Sequence, residues 1–178
     1  DTCEFNVNID CDSISKYCNT RAENSQLMWI QNVTIANINN TSGDNNGYKY
    51  FNTNCGQLSN GQKTSIWLTP GFKATTYNVY WKAWIDYNND GFFLTNEIIF
   101  TSNAGTSVLS GNVLITNAGV YNTPLRMRVG ADNASAPSLL PCQAPLNGQF
   151  EDYTVFIKNN VSLLENNSLL NLSLQPNP

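Results

Sequence analysis

The chain has 178 residues, of which 9 are Lys or Arg and 13 are Asp or Glu, and its net charge is −4. This length fits one domain of ordinary size with a short extra segment at each end. The lack of a basic stripe argues against nucleic acid as a partner, and the lack of histidine excludes catalytic triads and zinc sites that require an imidazole. No run of 18 apolar residues is present, so we expect a chain that is not membrane-spanning.

Residues that favour turns and extended backbone dominate the composition. The chain contains 29 asparagines and 11 glycines, whereas charged residues make up only 12%. Asn, Ser, Thr and Gly favour turns and extended structure, and good helix formers are scarce. The composition therefore predicts an all-β domain.

Eight segments have the apolar pattern of a strand. In chain order they are residues 28–35, 48–51, 64–68, 77–86, 97–101, 107–116, 124–130 and 151–158. Residues 39–47 are predicted to form a long turn, and Pro70-Gly71 to end the third strand. Apolar residues on both faces of 77–86 indicate a central strand, whereas 124–130 alternates as a half-buried strand does. About eight or nine strands of this kind predict a two-sheet antiparallel β-sandwich, jelly-roll-like, with long Asn/Gly-rich loops.

The two ends of the chain depart from this pattern. Residues 1–16 contain two cysteines and little periodicity, so we expect an N-terminal cysteine-containing extension. Residues 17–158 form the predicted sandwich. Residues 159–178 mix apolar residues with asparagine, which indicates a linker and the start of a further segment.

Five cysteines, Cys3, Cys11, Cys18, Cys55 and Cys142, are spaced too irregularly for a zinc ribbon and include no CxxC pair. In a chain of low charge that is rich in asparagine, we interpret them as disulfide partners in an oxidising compartment. Five buried and reduced cysteines are the alternative.

Segment 86–97 carries the sharpest local signal. It fits the pattern D-x-[DN]-x-[DN]-G-x5-E, in which oxygen ligands converge on a hard cation and the glycine permits a sharp turn. The predicted ligands of a calcium ion are Asp86, Asn88, Asp90, the backbone carbonyl of Phe92, and Glu97. Because the flanking segments have strand patterns and not the helices of an EF-hand, we expect a calcium loop between two strands that makes the loop rigid. A hairpin turn without metal is the alternative.

Glu151 and Asp152 are adjacent carboxylates of the kind that glycosidases use as acid and base. Adjacent residues of a strand point to opposite faces, so these two side chains do not flank one bond. We therefore assign no catalytic residue and expect no enzyme. The two carboxylates are instead expected to cap, to accept backbone hydrogen bonds or to contact the ligands of a cation.

Most aromatic residues, including the four tryptophans, are expected in the core. Some could instead form an exposed platform, because the apolar face of a pyranose packs well on an aromatic ring. The candidates are Tyr48 and Tyr50, which follow a polar loop, and Phe92 and Phe93, which lie in the predicted calcium loop.

Several motifs together resemble a known family. The runs YWKAWIDYNNDG at residues 80–91 and GQFEDYTV at residues 148–155 are similar to the GEVED domain, a module of secreted multidomain proteins of the Bacteroidota. The naming motif has the sequence GEVEDY, and here Gln149 and Phe150 stand in place of its first Glu and its Val. With Tyr17-Cys18 at the start, the resemblance extends over about residues 17–158.

The resemblance implies a non-catalytic accessory module of a secreted or cell-surface protein, used for adhesion or for binding a glycan or another surface ligand. It also implies a disulfide between Cys18 and Cys142. Cys3 with Cys11 is the second expected pair, which places Cys55 outside both. A structural spacer, or a passenger domain for type IX secretion, is the alternative function, and part of a secreted hydrolase is a further one.

The end of the chain, LSLQPNP at residues 172–178, resembles the opening of the C-terminal sorting domain of the type IX secretion system. This resemblance implies the type IX secretion machinery as a partner. It also implies that the protein is secreted or located at the outer-membrane cell surface.

Overall fold

The structure is a computed structural model, and it describes residues 17–116, 120–134, 139–145 and 147–159. These ranges contain nine strands, namely β1 (Met28–Ile35), β2 (Ile38–Thr41), β3 (Tyr48–Ser59), β4 (Lys63–Phe72), β5 (Tyr80–Ile85), β6 (Ile98–Thr101), β7 (Leu109–Leu114), β8 (Leu125–Asp132) and β9 (Gly148–Lys158). A 3-10 turn at Thr95–Glu97 leads into β6. The expected extension 1–16 and, apart from Asn159, the expected linker 159–178 lie outside the described residues.

The strands form two sheets. One sheet has four strands in the order β2-β1-β4-β7, and the other has five in the order β3-β9-β8-β5-β6. Neighbouring strands are antiparallel except for β3 and β9, which are parallel. The predicted two-sheet β-sandwich is confirmed, with one parallel pair that the sequence did not indicate.

Alternation places one face of each sheet in a shared apolar core. In β1 the buried residues are spaced by two up to Ile30 and by three from Ile30 to Val33. The register of β1 against β4 shifts at this point, so a bulge keeps the apolar side chains on the inner face. Trp81 of β5 and Val155 of β9 are fully buried in the same core. Removal of this apolar surface from water is the main force that holds the two sheets together.

Two inner strands of the five-stranded sheet are buried on both faces. β5 lies between β8 and β6, so the prediction of a central strand at 77–86 is confirmed, although the strand itself begins at Tyr80. The half-buried pattern predicted for 124–130 is wrong, because all of β8 is buried. Arg128 is fully buried and Arg126 is 9% exposed, because Asp152 and several aromatic rings cover them.

The predicted long turn at 39–47 is also wrong in part, because its first three residues belong to β2. Ile35 is paired with Ile38, so only Ala36 and Asn37 connect β1 to β2, and Ala36 has a φ of 49°. Tight hairpins of this type usually contain Asn-Gly or Asp-Gly, so the sequence Ala-Asn gave no signal.

The third predicted strand does not end at Pro70-Gly71, because β4 continues to Phe72. Pro70 lies opposite Ile30, beside the bulge in β1, and β7 pairs with β4 only as far as Leu68. A proline has no N–H to donate, so a strand tolerates it where a neighbouring strand does not require that donor.

Cys18 and Cys142 form a disulfide, and they are separated by 124 positions in sequence. This is the pairing that the family resemblance implied. It joins the segment before β1 to the segment before β9. Cys3 and Cys11 lie outside the described residues.

Replacement of both Cys18 and Cys142 by alanine should lower the free energy of unfolding by about 4 kcal/mol, because the cross-link restricts the unfolded chain and the closed loop is long. Urea denaturation of the oxidised protein measures this difference. The Cys55→Ala variant is the control and should change stability far less. Equal denaturation midpoints for the double variant and the wild type would contradict a structural role for the bond.

Candidate functional site

The predicted calcium loop, residues 86–97, connects β5 to β6. Strands lie on both sides of it, apart from the single 3-10 turn at its end. The backbone reverses at Asn89 and Gly91, which have φ angles of 58° and 91°. Glycine adopts such angles without steric cost and asparagine with little, which explains why these residue types occur here.

Asp86 is fully buried at the start of the loop. Its Oδ1 accepts a hydrogen bond from the backbone N–H of Asp90 at 3.1 Å. Its Oδ2 accepts one from the N–H of Gly91 at 2.9 Å and one from the Tyr17 hydroxyl at 2.6 Å. The carboxylate therefore holds the loop and the segment before β1 together.

Asn88 and Asp90 fold the exposed tip of the loop. The Asn88 Oδ1 accepts a hydrogen bond from the N–H of Asp90 at 3.1 Å, and the Asn88 amide donates to the Asp90 Oδ2 at 2.8 Å. The Asp90 Oδ1 accepts from the N–H of Phe92 at 2.8 Å. These bonds between side chain and backbone are those of consecutive Asx turns.

Glu97 closes the loop from within the domain, and only 2% of it is exposed. Its Oε1 accepts from the N–H of Tyr87 at 3.0 Å, and its Oε2 accepts from the N–H of Leu94 at 2.8 Å. Burial raises the pKa of Glu97, and the negative charges of Asp86 and Asp90 raise it further. The three carboxylates thus act on one another electrostatically.

The loop concentrates negative charge, and no ion pair in the described part of the chain neutralises it. In the described part of the chain, the ion pairs join Arg126 and Arg128 to Asp152, and none involves residues 86–97. Within the same ranges, no three Asp, Glu, Cys or His side chains by themselves form a group that could hold a metal. The donor set is nevertheless made only of oxygen, and two of the five predicted donors are an amide and a backbone carbonyl. A set of this composition fits a hard cation such as calcium.

On the outer face of the five-stranded sheet, the buried carboxylate of Asp152 organises a charged cluster. Arg128 donates to it from Nε at 2.7 Å and from Nη2 at 2.8 Å, and Arg126 donates from Nη1 at 3.1 Å. The Tyr48 hydroxyl adds a fourth hydrogen bond at 2.9 Å. The strand register produces this contact, because Arg128 of β8 lies directly opposite Asp152 of β9.

The two arginines extend the cluster to the rest of this face. The Arg128 Nη1 donates to the carbonyl of Pro141 at 2.6 Å, beside the disulfide. The guanidinium carbon of Arg126 lies 3.6 Å from the ring centre of Tyr50 and 4.6 Å from that of Tyr17. Since Tyr17 also donates to Asp86, the carboxylate of Asp152 is linked to the predicted calcium loop through Arg126 and Tyr17.

Glu151 lies on the opposite face of β9, between the two sheets, and is fully buried. Its Oε1 accepts hydrogen bonds from Ser42, from Asn45 at 3.2 Å and from Gln149 at 2.9 Å, and its Oε2 accepts one from Tyr153. Burial raises the pKa of Glu151 to about 7, although these hydrogen bonds act in the other direction. Glu151 and Asp152 therefore occupy separate environments on opposite faces, as the argument against a catalytic pair required.

Gln149 occupies a position that the GEVED motif gives to glutamate. Its Nε2 donates to Glu151 and to the carbonyl of Gly43, and its Oε1 accepts from the N–H of Asn45 at 3.0 Å. A neutral amide at this position supplies a donor to Glu151, where a second carboxylate would repel it.

The four candidates for an aromatic platform do not form one exposed surface. Phe92 is 64% exposed, whereas Phe93 is 7% exposed and packs with Tyr17 and Trp84. Tyr48 and Tyr50 are half-buried. Their hydroxyls form hydrogen bonds with side chains of β9, and their rings lie against the two arginines. Phe93 is thus excluded from a platform by burial.

Two of the four tryptophans also depart from their expected place in the core. Trp81 and Trp84 are buried, but Trp67 is 49% exposed and Trp29 is half-buried. Sequence reasoning missed this difference because Ile66, Trp67 and Leu68 are all apolar, so the polarity of the segment does not show which of them faces outward.

Sequence reasoning also missed Arg126, Arg128 and Tyr17 as residues that organise the outer face. One signal was available. Two arginines at alternate positions of an apolar strand require a buried partner, and the acidic residue Asp152 was a candidate.

Substitution of Asp152 by Asn should lower the free energy of unfolding by about 3 to 5 kcal/mol, because it leaves the Arg128 charge buried without its partner. Thermal and urea denaturation measure this loss. The exposed carboxylate of Glu23 provides the matched control, and Glu23→Gln should cost less than about 0.5 kcal/mol. Equal stability of the two variants would show that Asp152 does not hold the outer face.

Glu151 should make the domain less stable as the pH rises. The folded state holds the Glu151 proton up to about pH 7, whereas the unfolded chain releases it near the ordinary pKa of 4.5. The contribution of Glu151 to the free energy of unfolding is therefore fully present below pH 4.5 and is lost as the pH rises through 7. The loss amounts to roughly 3 kcal/mol.

The Glu151→Gln variant removes this titration. Its free energy of unfolding should change less than that of the wild type between pH 5 and pH 8, and the difference between the two curves isolates Glu151 from other titrating groups. Parallel curves over this range would rule out a raised pKa at Glu151.

Comparison with known proteins yields a family match for part of the chain. The family model of the GEVED domain matches residues 80–156, which include β5, the loop 86–97, β8 and nearly all of β9. No curated protein matches the chain.

A solved structure that is similar to this chain is a CARDB domain from Pyrococcus furiosus, crystallised in complex with di-metal ions. The identity is 8% and the TM-score is 0.36, with coverage of 75% of this chain and 96% of that domain. A likeness at this level carries no argument about a site. The segment from Tyr80 to Phe156, which contains both the loop and the Glu151-Asp152 pair, is the part of this chain that matches the GEVED domain.

Proposed function

We propose that this domain is a calcium-stabilised, non-catalytic accessory module of a secreted or cell-surface protein, and that it serves in adhesion or glycan binding. The GEVED match and the β-sandwich fit an accessory domain. The observation that carries the calcium part is the group of carboxylates of Asp86, Asp90 and Glu97. Burial and the charges of Asp86 and Asp90 raise the pKa of Glu97, and no ion pair in the described residues neutralises the group.

Calcium would act here as a structural ion. Asp86 and Glu97 are buried and already fixed by backbone N–H groups, so they would provide anchored oxygen ligands at the two ends of the loop. Asn88, Asp90 and the carbonyl of Phe92 would provide the remaining ligands at the exposed tip. A bound divalent cation would neutralise the mutual repulsion of the carboxylates and hold β5 against β6.

The disulfide fits an exported protein, as this proposed function requires. The Cys18–Cys142 bond requires an oxidising compartment to form and persist, such as the cell exterior. In the described part of the chain, no helix is long and apolar enough to cross a membrane. The terminal segment that resembles a type IX sorting signal would then supply the route of secretion.

A structural spacer is the second candidate. The outer face of the five-stranded sheet is held by a buried ion-pair cluster and a disulfide, and this arrangement suits a rigid element between two neighbours. A spacer would bind no ligand, so ligand binding separates the two functions.

Calcium should raise the melting temperature of the wild-type domain by several degrees relative to the same protein in EDTA. A ligand that binds only the folded state at a hundred times its Kd adds about 2.7 kcal/mol of stability. The Glu97→Gln variant should lose most of this increase, because it removes one carboxylate from the ligand set.

Glu23→Gln removes an exposed carboxylate elsewhere and should keep the full calcium effect. The comparison uses the shift between calcium and EDTA within each variant, so a general loss of stability in Glu97→Gln does not affect it. Identical melting curves of the wild type in calcium and in EDTA would disprove a calcium site.

A further inference from the structure

The outer face of the four-stranded sheet carries two tryptophans on an almost uncharged surface. Ile66 and Leu68 of β4 point into the core, so Trp67 between them points outward, and it is 49% exposed. Thr34 of β1 and Ser110 of β7 flank it in register. Trp67 is therefore at the centre of the sheet and not at its edge.

The second ring, Trp29 of β1, lies directly opposite Gly71 of β4. A side chain at position 71 would collide with the indole, so the glycine is what allows the ring to lie against the strand. The indole N–H donates to the Gln31 Oε1 at 2.9 Å, which fixes the orientation of the ring. Trp29 thus offers a flat surface before any ligand arrives. Gly71 is four residues from Trp67 along β4, so the two positions are roughly 13 Å apart.

Amides and hydroxyls occupy the surface around these rings. The Asn32 amide donates to Asn39 and to Thr41, both at 3.0 Å, and the Ser65 hydroxyl donates to Asn112 at 3.0 Å. Asn39 and Asn112 use their side-chain oxygens in these bonds, which leaves their NH2 groups as donors for a ligand. Both residues are exposed.

Charge is nearly absent from this surface. The four strands of the sheet contain a single charged residue, Lys63 at the start of β4. The surface therefore offers no complementarity to an anionic polymer, whereas its rings and amides match the apolar faces and hydroxyls of sugars.

From these features we infer that the outer face of the four-stranded sheet is a binding surface for a neutral polysaccharide, on which Trp67 and Trp29 stack against sugar rings and the neighbouring amides bind hydroxyls. This inference rests on the proposed role in glycan binding and assigns it to a surface other than Tyr48, Tyr50, Phe92 and Phe93. Because Lys63 is the only charged residue of the four strands, binding should be insensitive to salt.

Pull-down with insoluble microcrystalline cellulose, chitin and starch granules tests the inference. The full chain should bind at least one of the three, equally in 50 mM and in 500 mM NaCl, and should not be retained by immobilised polygalacturonate, which is anionic. The Trp67→Ala variant should bind roughly tenfold more weakly, and Trp67→Phe should recover part of the affinity because it keeps a ring.

Leu140→Ala is the matched control, since Leu140 is an apolar residue that is 48% exposed, close to the 49% of Trp67, and does not lie on this sheet. It should bind as the wild type does. Circular dichroism and the melting temperature establish that each variant is folded.

The outcomes separate the two levels of the proposal. If the wild type binds none of the neutral polymers, the role in glycan binding fails, and the inference fails with it. If the wild type binds and Trp67→Ala binds equally well, the surface assignment alone is overturned. If Trp67→Ala instead abolishes a self-association seen by analytical ultracentrifugation, with no change in polymer binding, the face is an interface between copies and the inference is wrong.

Discussion

The outer face of the five-stranded sheet depends on the ion pairs of the buried Asp152 carboxylate with Arg126 and Arg128. Two arginines enter an apolar strand only because this one anion faces them across the sheet, and through them it reaches the carbonyl beside the disulfide and the ring of Tyr17. Buried ion pairs contribute little net stability when they are intact, but one partner without the other is strongly destabilising. The cluster therefore fixes the positions of the surrounding segments more than it adds to the strength of the fold.

Side chains along β9 alternate between its two faces, so the adjacent residues Glu151 and Asp152 lie in two different electrostatic environments. Asp152 faces cations, and Glu151 on the other side faces only neutral donors, so burial dominates its proton affinity. Two adjacent acids thus have different roles because the strand turns them to opposite sides. Gln149, which stands where the GEVED motif has glutamate, lies on the same neutral side. Its amide forms hydrogen bonds both with Glu151 and with the backbone of the loop between β2 and β3.

The sequence was most informative where the local pattern and the tertiary structure agree. Strands such as β1 and β5 follow from their runs of apolar residues, and the position of the loop 86–97 between strands follows from its flanks. The parallel pairing of β3 with β9 could not be predicted, because strand order is a property of long-range contacts. The hairpin at Ala36-Asn37 lacked the usual turn residues, and β8 looked half-exposed because alternation alone does not show which polar residues have buried partners. Of the candidate site, the sequence placed the loop between two strands, and its metal ligands stay a prediction, whereas Tyr17 and Arg126, which connect the loop to the sheet, were not anticipated.

The disulfide has a mechanical consequence for a domain tethered at both ends. Tension applied to the two termini passes through the Cys18–Cys142 bond, so the residues between them bear no load. Roughly 400 Å of contour length is shielded in this way, at about 3.4 Å per residue. Force can extend only the parts of the chain that lie outside the loop closed by the disulfide. Within the described ranges this is chiefly β9, which is hydrogen-bonded to β3 and β8 on its two sides. A pulling force would therefore act first on this strand. It could extend the molecule only slightly as long as the Cys18–Cys142 disulfide remained intact.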